Sequence, residues 1–229
     1  MLERVMESND MNEEEIMIHY DKLNVLQTIN NFFIDISQEL CIGGKLLDIG
    51  CGTGQILRGM NDKYEKHGVD ISQNMIEYAR GQGHNIKYKI ANGNNLPYKE
   101  NSFDFVTCHS AMHHIKDPNN FINEMLRVLN PEGALFVKDL CRPQSEFQLQ
   151  NFFMDYLAKN YDEINKKLFE DSLRASYTAD EFKQLFQPDI KTNKLFFYNI
   201  ANRPAKGIEI NYQERQLKEL QFIKGRIRL

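Results

Sequence analysis

An apolar run that ends in three alternating glycines constrains this chain more than any other feature. Leu46-Leu47-Asp48-Ile49 leads into Gly50-Cys51-Gly52-Thr53-Gly54. A buried strand that stops at such a run and resumes as a helix has to turn sharply. Glycine supplies the positive φ that the turn needs and lets backbone pass close to a ligand. The spacing is G-x-G-x-G, because Gln55 stands where dinucleotide binders carry their third glycine. Asp48 lies two residues before the first glycine, and Asp70, sixteen residues past Gly54, closes the next apolar run. An acid at that place can accept both ribose hydroxyls of a nucleoside. A lone glycine run is as often a generic tight turn, and the two acids are what favour a ligand.

The pattern on either side of this turn alternates between strand and helix periods. Leu23, Leu26, Ile29, Phe33, Ile36 and Leu40 recur at helical spacing and predict an N-terminal helix that Gly43-Gly44 ends. Strands are expected over 45–49, 67–70, 86–90, 102–108 and 134–140, and helices over 55–63, 73–80 and from 118. Ser72 can cap the helix after the second strand. Asp117-Pro118 opens another, since proline at the first helical position gives up an N–H that is unpaired anyway. Residues 130–133 (Asn-Pro-Glu-Gly) read as a turn. Such alternation implies a parallel sheet with helices on both faces. After Leu140 it stops. Residues 144–174 predict one or two aromatic-rich helices, Thr178-Ala179-Asp180-Glu181 is a capping box, 194–200 is a late strand and 211–229 a final helix.

Bulk properties exclude several classes. The chain has 229 residues, 41% hydrophobic and 26% charged, with a net charge of −4. That balance supplies a core and gives no case for a nucleic-acid partner, which needs a basic face. Cys41, Cys51, Cys108 and Cys141 are scattered without a CxxC pair and read as reduced thiols of a cytoplasmic protein. No apolar run approaches the ~20 residues that span a bilayer, so no membrane span is expected. The acidic N-terminus does not read as a signal peptide.

Four segments in order, LLDIGCGTG at 46–54, GVDISQNMIEYAR at 68–80, LPYKENSFDFV at 96–106 and HHIKDPNNFINEMLRVLNPEGAL at 113–135, carry a family resemblance. The chain resembles the class I S-adenosylmethionine (SAM)-dependent methyltransferases, within them the group of quinone-biosynthesis and other small-molecule methylases. The resemblance implies an α/β fold: a Rossmann-like seven-stranded, mostly parallel sheet with helices on both faces, an N-terminal helix and a helical cap after the fifth strand. It implies one domain over 1–229, with an N-terminal helical segment (1–44), a SAM-binding core (45–140), a helical cap (141–178) and the C-terminal part of the sheet and tail (179–229). Asp48 would approach the methionine amino group, directly or through water, with Gly50, Cys51 and Gly52 forming the floor under ribose and methionine and Gly54 a further cofactor-binding residue. Asp70 would hold the ribose hydroxyls, and Ile71 and Met75 would pack on the adenine faces. Asn92-Gly93 would meet the adenine edge, with Asn92 where the family usually has an acid. His109 would stand in the methionine-side wall. As structural readings, Asp70 is a helix-entry acid, Asn92 a loop residue, Met75 core and Cys51 a small packing residue.

The remaining candidates concern the acceptor. His109, His113 and His114 lie close together, and Asp139 ends the fifth strand at the same sheet edge. His109 or His113 is the candidate general base, needed only if the acceptor must lose a proton. The family's His-His pair equally shapes a turn, and no metal is expected. Tyr20, Arg142, Arg174 and Tyr177 are candidate acceptor contacts, Arg174 because a guanidinium forks onto carboxylate or phosphate. Surface ion pairing explains the arginines equally well. The expected reaction is in-line transfer of the SAM methyl group to a small-molecule acceptor, giving S-adenosylhomocysteine (SAH), with the protein chiefly positioning the two reactants. A non-catalytic SAM binder and a methyltransferase for macromolecules are the alternatives. An NAD-dependent oxidoreductase is disfavoured by the glycine spacing. The basic tail over 218–228 either pairs subunits, in a homodimer, or hangs in solvent.

Overall fold

The computed structural model describes residues 2–6, 43–152, 163–186 and 195–200. The expected helix over 23–40, Tyr20 and the final helix over 211–229 lie outside the described residues. Six strands form one parallel sheet in the order β3-β2-β1-β4-β5-β6: β1 (Gly44–Ile49), β2 (Tyr64–Asp70), β3 (Lys87–Ile90), β4 (Phe103–His109), β5 (Leu129–Leu140) and β6 (Leu195–Ile200). Seven strands are expected from the resemblance, and the described residues form six. Between them run α1 (Gln55–Gly59), α2 (Gln73–Gly81), a 3-10 turn (Met112–His114), α3 (Pro118–Val128), α4 (Glu146–Phe152), α5 (Glu163–Ala175) and α6 (Ala179–Leu185).

Alternation along the strands divides the core between two faces. Leu46, Phe105 and Phe136 point to the side covered by Leu57 of α1 and Ile76 and Ala79 of α2. Leu47, Val106, Leu135 and Val137 point to the side covered by Phe121, Ile122 and Met125 of α3 and Phe182 of α6. Each such fully buried side chain contributes roughly 1.5–3 kcal/mol. The chain builds outward from β1 to β3 on one flank and from β4 to β6 on the other. The switch point therefore falls between β1 and β4, where open α/β sheets bind ligands beyond the carboxyl ends of their strands.

The local signals mostly act as expected. Ser72 Oγ accepts the Met75 N–H, and Asp117 accepts the Asn120 N–H ahead of Pro118. In the capping box, the Thr178 N–H donates to Glu181 Oε2 at 2.8 Å while the Glu181 N–H donates back to Thr178 Oγ1 at 3.3 Å. Two expectations need correction. α1 ends at Gly59 rather than Lys63, because Met60 is extended and Asn61 turns the chain, its side chain accepting the Lys63 N–H. β2 accordingly starts at Tyr64. Residues 130–133 are not a separate turn but a bulge inside β5. As β4 advances from Phe103 to Phe105, the partner on β5 moves from Leu129 to Ala134. Pro131 has no N–H for a ladder, so the segment loops outward while Asn130 Nδ2 holds Asp104 Oδ1 at 2.6 Å. Among the described residues no helix is long and apolar enough to cross a membrane.

Candidate functional site

The glycine turn closes over the end of β2. The N–H groups of Gly50 and Cys51 both donate to the Val69 carbonyl, at 2.9 and 3.0 Å, and the Gly54 N–H donates to the Cys51 carbonyl at 2.8 Å. Gly50, Gly52 and Gly54 all have positive φ (73°, 51° and 78°). They differ in what surrounds them. A Cβ on Gly50 would meet Ala111, and one on Gly54 would strike the Tyr88 hydroxyl, but one on Gly52 would meet nothing. Two glycines thus serve close packing within the protein, and the middle one faces open space. Cys51 is buried, as is Gly54.

Two carboxylates flank this turn. Asp70, at the tip of β2, accepts the Gly52 N–H on Oδ2 at 2.8 Å and the Ser72 N–H on Oδ1 at 2.9 Å. Burial raises its pKa, against the lowering effect of those two bonds and of nearby His114. Asp48, near the end of β1, is 1% exposed. Burial pushes its carboxyl up to about 7, opposed by the Thr107 hydroxyl and reinforced by repulsion from Asp70. Two acids held near one another in a desolvated setting favour a cationic ligand, whose charge would relieve both burial and repulsion.

The adenine-side candidates fall beside this pair. Ile71, next to Asp70, is 71% exposed, a large apolar side chain standing free at a strand end. Met75, in α2, is buried. Asn92 is exposed, and its amide oxygen accepts the Asn94 N–H at 2.9 Å. A carbonyl-type oxygen has two lone pairs, so a second donor can still be accepted there. Gly93 follows, and a Cβ on it would strike the Phe121 ring.

On the other flank, β4 ends at His109, which is buried, with Ser110 Oγ 3.5 Å from its Nε2. Burial pushes its pKa well down, aided by Lys138 and His113, so the ring is neutral near neutral pH. Ser110 has φ 50°, a left-handed backbone uncommon outside glycine, and it breaks the strand into the 3-10 turn. His113 in that turn is held by Asp139 of β5. Its N–H donates to Oδ2 at 3.0 Å and its ring Nδ1 lies 2.6 Å from Oδ1, with both side chains 2% exposed.

The acceptor candidates separate. Arg142 and Tyr177 are neighbours, the Arg142 N–H donating to the Tyr177 carbonyl at 3.0 Å. Arg142 is buried, with Nη1 on the Ser176 carbonyl at 2.9 Å and Nη2 on Glu181 at 2.7 Å. Arg174 is elsewhere, its guanidinium shared between Glu146 and Glu170. A hollow of about 730 Å³ lies at the opposite, amino edge of the sheet, lined among others by Lys45, Lys63, Glu65, Lys99 and Asp104. It holds none of the motif residues and mixes both charge signs, so the carboxyl edge remains the candidate site.

Sequence reading passed over Thr107, Arg4 and the grip of Asp139. Thr107 pairs with Asp48 in the β1–β4 register, a signal available only once the strands are aligned. Arg4 donates to the carbonyls of Ala175 and His113, and no motif marks it.

Comparisons with known proteins bear on this arrangement. The family model described as "Methyltransferase domain" matches residues 47–137. An uncharacterized protein of Methanocaldococcus jannaschii is 31% identical over 175 residues, spanning 75% of this chain and 78% of that one. The demethylmenaquinone methyltransferase of Geobacillus kaustophilus is 28% identical over 199 residues, spanning 76% of this chain and 84% of that one. Among solved structures, the plantazolicin methyltransferase BamL, in complex with a triazolic desmethylPZN analog and SAH, aligns at 26% identity with a TM-score of 0.61, over 75% of this chain and 65% of that one. The matched interval runs from the strand that carries Asp48 to the strand that carries Asp139, and by it and its relatives the chain belongs to the class I SAM-dependent methyltransferases.

Proposed function

We propose that the chain binds SAM beyond the carboxyl ends of β1, β2 and β4 and transfers its methyl group to a small-molecule acceptor, releasing SAH. The observation that carries this reading is the pairing of buried Asp48 with half-buried Asp70 beside a glycine whose Cβ direction is empty. These residues fit the ligand: a cation suits the carboxylates, hydroxyls suit Asp70, and an aromatic base suits exposed Ile71. When bound, SAM supplies an already activated methyl on its sulfonium. Asp48 would then hold the amino group, Asp70 the ribose hydroxyls, Ile71 and Met75 the adenine faces and Asn92-Gly93 its edge. Gly50, Cys51, Gly52 and Gly54 would lie under the ligand, and His109 would close the methionine side.

The chain's task is to align the acceptor atom with the methyl group and keep water out, which can supply ~7–11 kcal/mol of the barrier. His113, with Nδ1 toward Asp139, has the role of proton acceptor when the acceptor carries a hydroxyl or amine proton. His109, kept neutral, is the second candidate for that role. Arg142 and Tyr177 would border the acceptor, with Tyr20 and Arg174 more distant candidates. By their names, the relatives act on demethylmenaquinone and on plantazolicin, so demethylmenaquinol is the first acceptor to assay. Residues 1–44, 45–140, 141–178 and 179–229 divide into N-terminal segment, core, cap and C-terminal part. A cytoplasmic setting, a homodimer and no nucleic-acid partner complete the reading.

Calorimetry with SAM and SAH tests it. Micromolar binding, about −8 kcal/mol, is expected for the wild type, with about a hundredfold loss for Asp70→Ala. Undiminished affinity in that variant would remove the ribose assignment.

A further inference from the structure

We infer that Arg4 is a positioning residue of the transfer site: with Asp139 it mounts His113, and with Arg142 it pins the end of α5 to the same turn. The inference rests on the methyl-transfer reading, in which His113 faces the reacting groups.

Three successive carbonyls at the end of α5 accept hydrogen bonds from two arginines. Arg4 Nε binds the Ala175 carbonyl at 2.6 Å, Arg142 Nη1 binds that of Ser176 at 2.9 Å, and the Arg142 backbone N–H binds that of Tyr177 at 3.0 Å. A helix C-terminus leaves carbonyls unpaired and carries partial negative charge, so cations suit it. Capping alone would need no more than a positive charge near Ala175. Arg4 does more. Its Nη2 crosses to the His113 carbonyl at 3.2 Å, and its guanidinium carbon lies 3.9 Å from the centroid of the Tyr177 ring. The Leu2 and Val5 N–H groups bind the Gln144 and Arg174 carbonyls, which lays the segment along the cap.

His113 is consequently fixed at three polar atoms by two distant parts of the chain. Asp139 takes its N–H and faces its Nδ1, and Arg4 takes its C=O. Oδ1 of Asp139 also accepts the Leu140 N–H at 2.7 Å. A carboxylate offers only acceptors, so Nδ1 carries a proton toward Asp139. The next residue, His114, is close enough to Asp70 to lower its carboxyl pKa, which puts this turn at the rim of the nucleoside side. A residue held by its backbone on both sides and by one ring nitrogen has its imidazole placed precisely, as a reacting group requires.

The lysine substitution separates positioning from capping. Arg4→Lys keeps a cation for the helix end and the Tyr177 face, but one ammonium lacks the planar fork that reaches both carbonyls. The test uses the full-length, nitrogen-15-labelled protein with SAH as probe, as wild type, Arg4→Lys and Arg4→Ala. It measures SAH affinity, amide exchange and the His113 ring nitrogen shifts. For Arg4→Lys we expect SAH affinity within about twofold of wild type and slow exchange retained at the end of α5. Exchange at residues 113–115 should be about tenfold faster, and the ring nitrogens should leave the Nδ1–H pattern. Wild-type ring shifts and exchange in Arg4→Lys, with both segments loosened together in Arg4→Ala, would reduce Arg4 to a helix cap and overturn the proposal. If the wild type ignores SAH, the methyl-transfer reading fails instead, and the exchange data still decide whether Arg4 holds the turn.

Discussion

Asp48 and Thr107 stand opposite each other across the β1–β4 ladder, and the Thr107 hydroxyl donates to Asp48 Oδ1 at 2.9 Å. Neither is exposed by more than 1%. One hydroxyl on one oxygen leaves the carboxylate poorly solvated, and this is why its pKa sits near 7 rather than near the ordinary 3.8.

Ligand affinity should therefore depend on pH. A cationic ligand needs Asp48 ionised, so each bound SAM displaces up to about one proton below pH 7. Calorimetry should show affinity falling as pH drops from 7 and levelling above it, with Asp48→Asn weaker at and above pH 7, flatter, and converging with the wild type at low pH. Without ligand the sign reverses. Between 3.8 and about 7 the unfolded chain ionises this group and the folded chain does not. The Asp48 contribution to stability is thus greatest at low pH and declines as pH rises through that window, and thermal melts of the ligand-free Asp48→Asn variant should lack that slope.

Thr107→Val removes the single hydroxyl that opposes desolvation of Asp48. The midpoint of the pH dependence of SAM binding should rise by about one pH unit, equivalent to about 1.4 kcal/mol. Thr107→Ser, which keeps the donor, should leave the midpoint in place. Equal midpoints in all three proteins would show that the hydroxyl does not set the carboxyl's charge.

The loop glycines should fail in different ways. Gly54→Ala drives a methyl into Tyr88, and Gly52→Ala places one in open space at a strained φ. The first should cost about 2–5 kcal/mol of stability, overpacking added to the same left-handed backbone cost, visible in a denaturant melt. The second should cost about 1–2 kcal/mol from the left-handed backbone and should in addition abolish SAH binding. Full SAH affinity in Gly52→Ala would mean that the open space beside Gly52 is not where the ligand lies.

Thr178→Ala breaks one side of the capping box and leaves Glu181 on the Arg142 guanidinium. A loss of about 1 kcal/mol is expected, with SAH affinity unchanged, as read by melting and calorimetry on the same samples.

Much of the core was legible because its signals are local. The alternation of Leu46 and Leu47, the Ser72 and Asp117 caps and the Thr178–Glu181 box each depend on a few neighbouring residues. The bulge at 130–133 was misread for the same reason. Asn-Pro-Glu-Gly has turn chemistry, and only the pairing of β4 with β5 on both sides of it makes it part of a strand. Arg174 and Arg142 looked alike as isolated cations. In the fold, Arg174 joins Glu146 and Glu170 at the surface while Arg142 is buried on Ser176 and Glu181.

Sequence alone determined the strand–loop–helix unit, the order of the parallel elements and the place of both acids, because backbone propensity and side-chain period act over a few residues. Tertiary structure alone decided that Thr107 faces Asp48, that Asp139 and Arg4, from distant parts of the chain, hold His113, and that Gly52 is the glycine left open. Those relations join residues far apart in sequence, and strand register and packing, which no short segment contains, set the distances between them.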